Sequence, residues 1–240
     1  MPPIRPSLVL TKQDIIDGLS ELDVAFDASE LLMSVAPIRF VTIGGMLAVS
    51  LFQNRTTTKD IDFLLDPNVD AVDDYRNEIL RVIQGVARKK GFNSDWMNDD
   101  LKIFIQNSNR LNIFLQSVEQ GIIVYQGQNL IVYAGRLDFA LERKLRRVDE
   151  RSRIRSREID LSDAVTLVHY IKGDGHPLSW QYVQGLDENG RGMGVGDAGI
   201  QAVATEYIRV YRVQGIVEMV WDEEFERWRY IDLEGEWTWV

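Results

Sequence analysis

Two aspartates separated by one residue, Asp60 and Asp62, are the pair in this chain best suited to chemistry. They open Asp60-Ile-Asp-Phe-Leu-Leu65, an apolar run ended by Asp66-Pro67 that predicts a strand. Side chains alternate across a strand, so residues two apart project their carboxylates from one face. Two such groups beside a core repel each other unless donors or a cation compensate. A divalent cation suits them, because magnesium accepts one or two carboxylates and completes its shell with substrate phosphates. Upstream, Gly44-Gly45 ends Ile38-Arg-Phe-Val-Thr-Ile43, whose β-branched and aromatic residues predict another strand. Without side chains, a strand-to-helix turn lets backbone N–H groups approach a phosphate. Alone, a D-x-D pair reads as surface and a Gly-Gly pair as a tight turn. Their order, with a short helix between, points to phosphoryl chemistry.

The elements that must hold these residues are legible as alternating helix and strand. Thr11 to about Met33 has an N-cap followed by Ile15, Ile16, Leu19 and Leu22 at helical intervals. Met46–Phe52 has the composition of a short buried helix, and about Val72–Lys90 that of a longer one closed by Gly91. Short strands are predicted over 101–106, 111–117, 122–125 and 129–133, with Gly127 turning between the last two. Helix resumes from Leu137 and again from Leu161 to about Ile171. The expected class is α+β with an α/β-like core, a mixed sheet flanked by helices over residues 1–172. A glycine-rich linking segment over 173–206 follows, then a small antiparallel β appendage over 207–240 holding four of the six tryptophans.

Composition excludes several alternatives. With 45% hydrophobic and 27% charged residues the chain reads as an ordinary globular protein. The lack of cysteine excludes disulfides and thiolate metal sites. Neither a signal peptide nor a membrane span is expected, so the reading is intracellular, cytoplasmic and without a membrane partner. A net charge of −10 argues against broad attraction to nucleic acid. Arg136–Arg157 is nonetheless a concentrated basic segment, either a solvated helix face laced with pairs such as Glu142 and Arg146 or a cationic wall for an anionic ligand.

Gly44-Gly45 followed by Arg55-Thr-Thr-Thr-Lys-Asp60-Ile-Asp62 resembles the signature of the DNA polymerase β-like nucleotidyltransferase superfamily, particularly its minimal nucleotidyltransferase and AbiEii-like members. Trp96-Met97-Asn98-Asp99 and Lys144 with Arg157, Asp160 and Asp163 are similar to features of bacterial members. The resemblance covers about residues 35 to 170. It implies that Gly44 and Gly45 hold nucleotide phosphates, that Asp60 and Asp62 bind magnesium or manganese, and that Lys144, with Arg157, contacts the triphosphate. It further implies transfer of a nucleoside monophosphate from an NTP to a protein, RNA or small-molecule acceptor. The family usually supplies a third carboxylate from a later strand, and Arg110-Leu-Asn112-Ile-Phe-Leu is similar to that strand, with Asn112 at the place of the aspartate. An amide can neither act as a base nor add negative charge to a metal pair.

The alternative expectation is therefore a catalytically degenerate protein of this fold that binds nucleotide or a partner without turnover. A third places a protein partner on the C-terminal appendage, whose aromatic strands could pair with a partner's edge. Trp96 and the C-terminal tryptophans read first as packing residues. His169 reads as a helix residue, and Gly194-Val-Gly196-Asp-Ala-Gly199 lacks the preceding buried strand that a dinucleotide fingerprint requires.

Overall fold

The computed structural model describes residues 9–149 and 157–240, so Arg151, Arg153 and Arg155 of the basic segment lie outside the described residues. The chain forms two compact units, Met1–Arg136 and Leu137–Val240. The boundary precedes the expected core end at 172, because the helices beginning at Leu137 and Arg157 belong to the second unit.

The first unit opens with β1 (Leu10–Thr11) and α1 (Lys12–Asp27). Thr11 caps α1 reciprocally: its Oγ1 accepts from the Asp14 N–H at 3.2 Å, and the Asp14 carboxylate accepts from the Thr11 N–H at 2.9 Å. Ile15, Leu19, Leu22 and Phe26 form the buried stripe of α1. The predicted single helix breaks at Ser29, whose hydroxyl caps α2 (Glu30–Met33) by accepting from Leu32. Then come β2 (Ile38–Thr42), α3 (Gly45–Ser50), β3 (Thr57–Thr58), β4 (Ile61–Leu65), α4 (Pro67–Asp70) and α5 (Asp73–Lys90). Helix α5 ends at Gly91, whose φ of 72° suits glycine. The unit closes with β5 (Met97–Asn98), a 3-10 turn (Asp100–Phe104), α6 (Asn107–Gln120), β6 (Ile123–Gln126) and β7 (Leu130–Ala134).

Five strands form one mixed sheet in the order β5-β4-β2-β7-β6. Strand β2 pairs antiparallel with β4 and parallel with β7, and β4 pairs parallel with β5. Phe40, Phe63, Val132 and the α1 and α5 stripes make a common core. Trp96 is fully enclosed there, its indole N–H donating to the Ile83 carbonyl at 3.2 Å, so it packs as expected.

Two predicted strands of this unit are not strands. Residues 101–106 fall largely in the 3-10 turn and 111–117 in α6. Leu111, Ile113 and Leu115 alternate as in a strand, but Ile113, Phe114 and Ser117 face inward while Leu111 and Leu115 stay exposed. Burial therefore follows the helical period.

In the second unit α7 (Leu137–Asp149), α8 (Arg157–Lys172) and α10 (Asp197–Tyr211) are accompanied by β8 (Leu178–Ser179), α9 (Trp180–Gln184) and β9 (Ile216–Val217), where β8 and β9 pair parallel. The expected β appendage therefore begins later than residue 207: its first residues are the end of α10, which buries Ile200, Val203, Ala204 and Tyr207 at helical spacing. His169 is on α8, its ring stacked on Tyr211 at 4.3 Å. Strands β10 (Val220–Asp222), β11 (Arg227–Ile231) and β12 (Trp237–Trp239) form the expected antiparallel sheet. The molecule is thus α+β, with a helix-flanked mixed sheet and a C-terminal three-stranded sheet.

Candidate functional site

The glycine turn and the carboxylate pair meet at one end of the central sheet. Strands β2 and β4 run antiparallel with Thr42 opposite Phe63, so the chain leaves β2 toward Gly44 beside the point where it enters β4 at Asp60. The Thr42 hydroxyl donates to the Asp62 carbonyl at 2.8 Å and ties the strands at that end. Ile61 and Phe63 are buried on one face of β4, whereas Asp60 and Asp62, flanking Ile61, are only half-buried.

Each glycine is needed for a different reason. Gly44 has φ 76° and ψ −129°, a conformation that side-chain-bearing residues avoid, with open space around its missing Cβ. At Gly45 the obstacle is contact: a Cβ would lie 1.9 Å from the Thr58 Oγ1 and 3.6 Å from an Arg55 guanidinium nitrogen. The same Thr58 hydroxyl donates to the Asp60 carbonyl at 3.2 Å. Thr58 thereby seats the Gly45 backbone against the segment that delivers the carboxylates, with the Arg55 cation alongside. The quoted Arg55-to-Asp62 stretch thus has a local structural reason for its threonine.

The position opposite Asp62 is occupied by Asn98 of β5, and Asn112 is elsewhere. Asn112 is exposed on α6, where its amide donates to Asn109 at 3.4 Å. The expectation that Asn112 replaces a third strand carboxylate is corrected: it rested on a strand that is a helix. The next strand beyond Asp62 also carries an amide, and Asp99 follows it. The Asp99 carboxylate pairs with Arg76 at 3.1 Å and with Lys102. Burial alone would raise its pKa, but the Lys102 and Arg76 contacts outweigh burial and hold it below the ordinary carboxylate value. The resemblance included Asn98 and Asp99 but gave neither a particular role, because a two-residue strand leaves no periodicity to place them.

Lys144 and Arg157 belong to the second unit. The Lys144 ammonium is buried between two carboxylates of α8, 2.8 Å from Asp160 and 2.6 Å from Asp163, with an Arg147 guanidinium 3.8 Å from Asp160. The Arg157 guanidinium donates to the Val148 carbonyl at 3.1 Å. These are contacts that clasp α7 to α8. Nearby on α7, the fully buried Glu142 accepts from Arg146 at 2.8 Å and from the Glu188 N–H at 2.6 Å, pinning the glycine-rich segment. That segment continues into α10 at Asp197.

Among the described residues no group of three or more histidine, aspartate or glutamate side chains is arranged to hold a metal. The donors near this sheet end are the carboxylates of Asp60 and Asp62, the Asn98 amide opposite Asp62 and the backbone of the glycine turn, a set that would fit a cation only if other oxygens completed its shell. A cation held by protein groups alone does not fit this set. No family model, curated protein or solved structure matches the chain.

Proposed function

We propose that the first unit is a nucleotidyltransferase-type site that binds a magnesium–NTP and transfers its nucleoside monophosphate to an acceptor hydroxyl. The observation that carries this reading is the Thr58 bridge, which joins the Gly45 backbone to the Asp60-x-Asp62 segment at one sheet end. The Gly44-Gly45 turn receives the phosphates, and the Arg55 cation balances their charge. Asp60 and Asp62 hold magnesium or manganese, which when bound polarises the phosphoryl oxygens. The acceptor oxygen bonds to the α-phosphorus, the bond to the β-phosphate oxygen breaks, and pyrophosphate departs. The acceptor's proton leaves to water, since the Asn98 amide cannot serve as a base. The acceptor is a protein, an RNA end or a small molecule.

Asn98 opposite Asp62 favours a second reading, nucleotide binding without turnover. The deciding experiment presents each of the four NTPs with and without magnesium to the wild type and to Asp60→Asn/Asp62→Asn, following binding by calorimetry and pyrophosphate release. Magnesium-dependent binding of at least one NTP, weakened about tenfold or more in the double variant, is expected. Release lost in the variant supports transfer, and binding without release supports the second reading. Failure to bind any NTP sinks both.

A further inference from the structure

The three-stranded sheet of the second unit exposes more aromatic surface than its small core uses. Trp221, Trp228 and Trp237 are 45%, 46% and 48% exposed, against 0% for Trp96. Strand alternation and register separate the rings. Arg229 lies opposite Val220 and Trp239, and Ile231 opposite Trp237, on one face; Trp221 lies opposite Trp228 on the other. Tyr230 shares the second face and is buried against Val217 and Met219, which anchors the sheet there. Trp221 and Trp228 stand beyond that anchor, edge to face at 5.5 Å.

The exposed acids cluster in the hairpin turns, whereas the sheet's arginines, Arg227 and Arg229, lie over the rings of the first face. Glu223, Glu224 and Glu226 in one hairpin turn and Glu234 and Glu236 in the other are all exposed. The aspartates of these turns have structural duties. Asp222 accepts from the Glu224 and Phe225 N–H groups, and Asp232 accepts from those of Glu234 and Glu236. The glutamates are thus the surface field, and they repel phosphate-bearing ligands such as RNA or anionic lipid. The first face meanwhile shows what this sheet does with a cation. The Arg229 guanidinium sits 4.3 Å from the Trp237 ring and 3.1 Å from the Asp222 carboxylate.

We propose that the Trp221–Trp228 face is a docking surface for an arginine- or lysine-rich extended segment of a partner protein. The rings take the cationic side chains and the turn glutamates supply the opposite charge. Strands β10 and β12, the two edges of the sheet, offer backbone pairing to such a segment.

The test uses the full chain and three probes: a short peptide alternating arginine and valine, its glutamate counterpart, and a uridine homopolymer. Binding is read by fluorescence of the tryptophans and by calorimetry. The arginine peptide is expected to bind, with affinity falling about tenfold in Trp221→Ala/Trp228→Ala and several-fold in Glu223→Gln/Glu224→Gln/Glu226→Gln. The second variant keeps the aromatic packing, so it stays informative if the first fails to fold. Equal affinity of wild type and both variants would make the attraction a general consequence of net charge and overturn the proposal. So would absence of peptide binding, or tighter binding of the RNA or the acidic peptide.

Discussion

Each unit carries a closely spaced pair of aspartates, and the two pairs are handled in opposite ways. Asp60 and Asp62 sit two apart around the start of a strand, half-buried beside a glycine turn. Asp160 and Asp163 sit three apart on a helix, 3% and 2% exposed, with the Lys144 ammonium between them. The spacing of three aligns Asp160 and Asp163 on their helix, whereas Asp60 precedes β4 and only Asp62 lies within it. What separates them is burial: the helix pair is enclosed around a lysine, whereas the strand pair is half-buried at a sheet end. A buried pair clasped by its own lysine is part of the packing of α7 on α8. A half-buried pair beside a backbone turn is, on the proposed reading, one that an added cation and phosphate would complete.

The largest expected effect breaks the internal clasp. Lys144→Met removes the cation closest to both buried carboxylates and leaves only the more distant Arg147 guanidinium beside Asp160, and it should cost about 3–5 kcal/mol of stability in urea unfolding. Adding Asp160→Asn and Asp163→Asn should recover much of that loss, because it removes the orphaned charge. Asp60→Asn/Asp62→Asn, at half-buried positions, should cost less, about 1 kcal/mol. Equal costs for the two units would erase the distinction between a structural pair and a site pair.

The glycine turn sharpens the comparison at the next scale. Gly45→Ala drives a Cβ into Thr58 and should cost about 1–3 kcal/mol. In a Thr58→Ala background the hydroxyl is gone while the Thr58 Cβ contact at 2.8 Å remains, so the penalty should shrink without vanishing. Gly44→Ala, whose cost comes from φ 76° in open space, should be indifferent to Thr58→Ala. A double-mutant cycle by denaturation measures both couplings. Additivity of Gly45→Ala with Thr58→Ala would detach Thr58 from the turn and remove the bridge on which the site is built.

These contrasts mark what the sequence could and could not tell. Strands β2 and β4 and the turn between them were legible because β-branched runs stop at strong breakers, Gly44-Gly45 and Asp66-Pro67. Helices α6 and α10 were misread because Leu111-Ile113-Leu115 alternate locally and the residues from Tyr207 onward are rich in β-branched and aromatic side chains, while burial over each full segment follows a period near four. Asn112 fell with the first of these. Asn98 was out of reach because β5 is two residues long and its pairing with β4 is a tertiary fact. Lys144, Asp160 and Asp163 were singled out together by the resemblance, but their ion pairing was not visible, since contact between α7 and α8 obeys no spacing rule within either helix. The exposure of Trp221 and Trp228 was likewise hidden, because tryptophan in a small sheet is as readily core as surface.

The smallest effect concerns Asp99, the carboxylate that follows Asn98 and, unlike Asp62, is held by cations of its own unit. Its pKa is lowered in the folded protein because Lys102 and Arg76 outweigh the opposing effect of burial. A carboxylate depressed on folding contributes stability above its unfolded pKa, about 3.9, and that contribution is lost as pH falls through the lower folded value. Wild type should therefore exceed Asp99→Asn in stability at neutral pH, by no more than about 1 kcal/mol for a partly exposed cluster. The gap should narrow as acid approaches and passes the folded pKa, which urea midpoints measured from neutrality downward would register. A gap unchanged across that range would mean that the ion pairs contribute nothing. Asp99 would then stand with Asp62 as a carboxylate available to the site, and the contrast between the held and the open acid at this edge of the sheet would be lost.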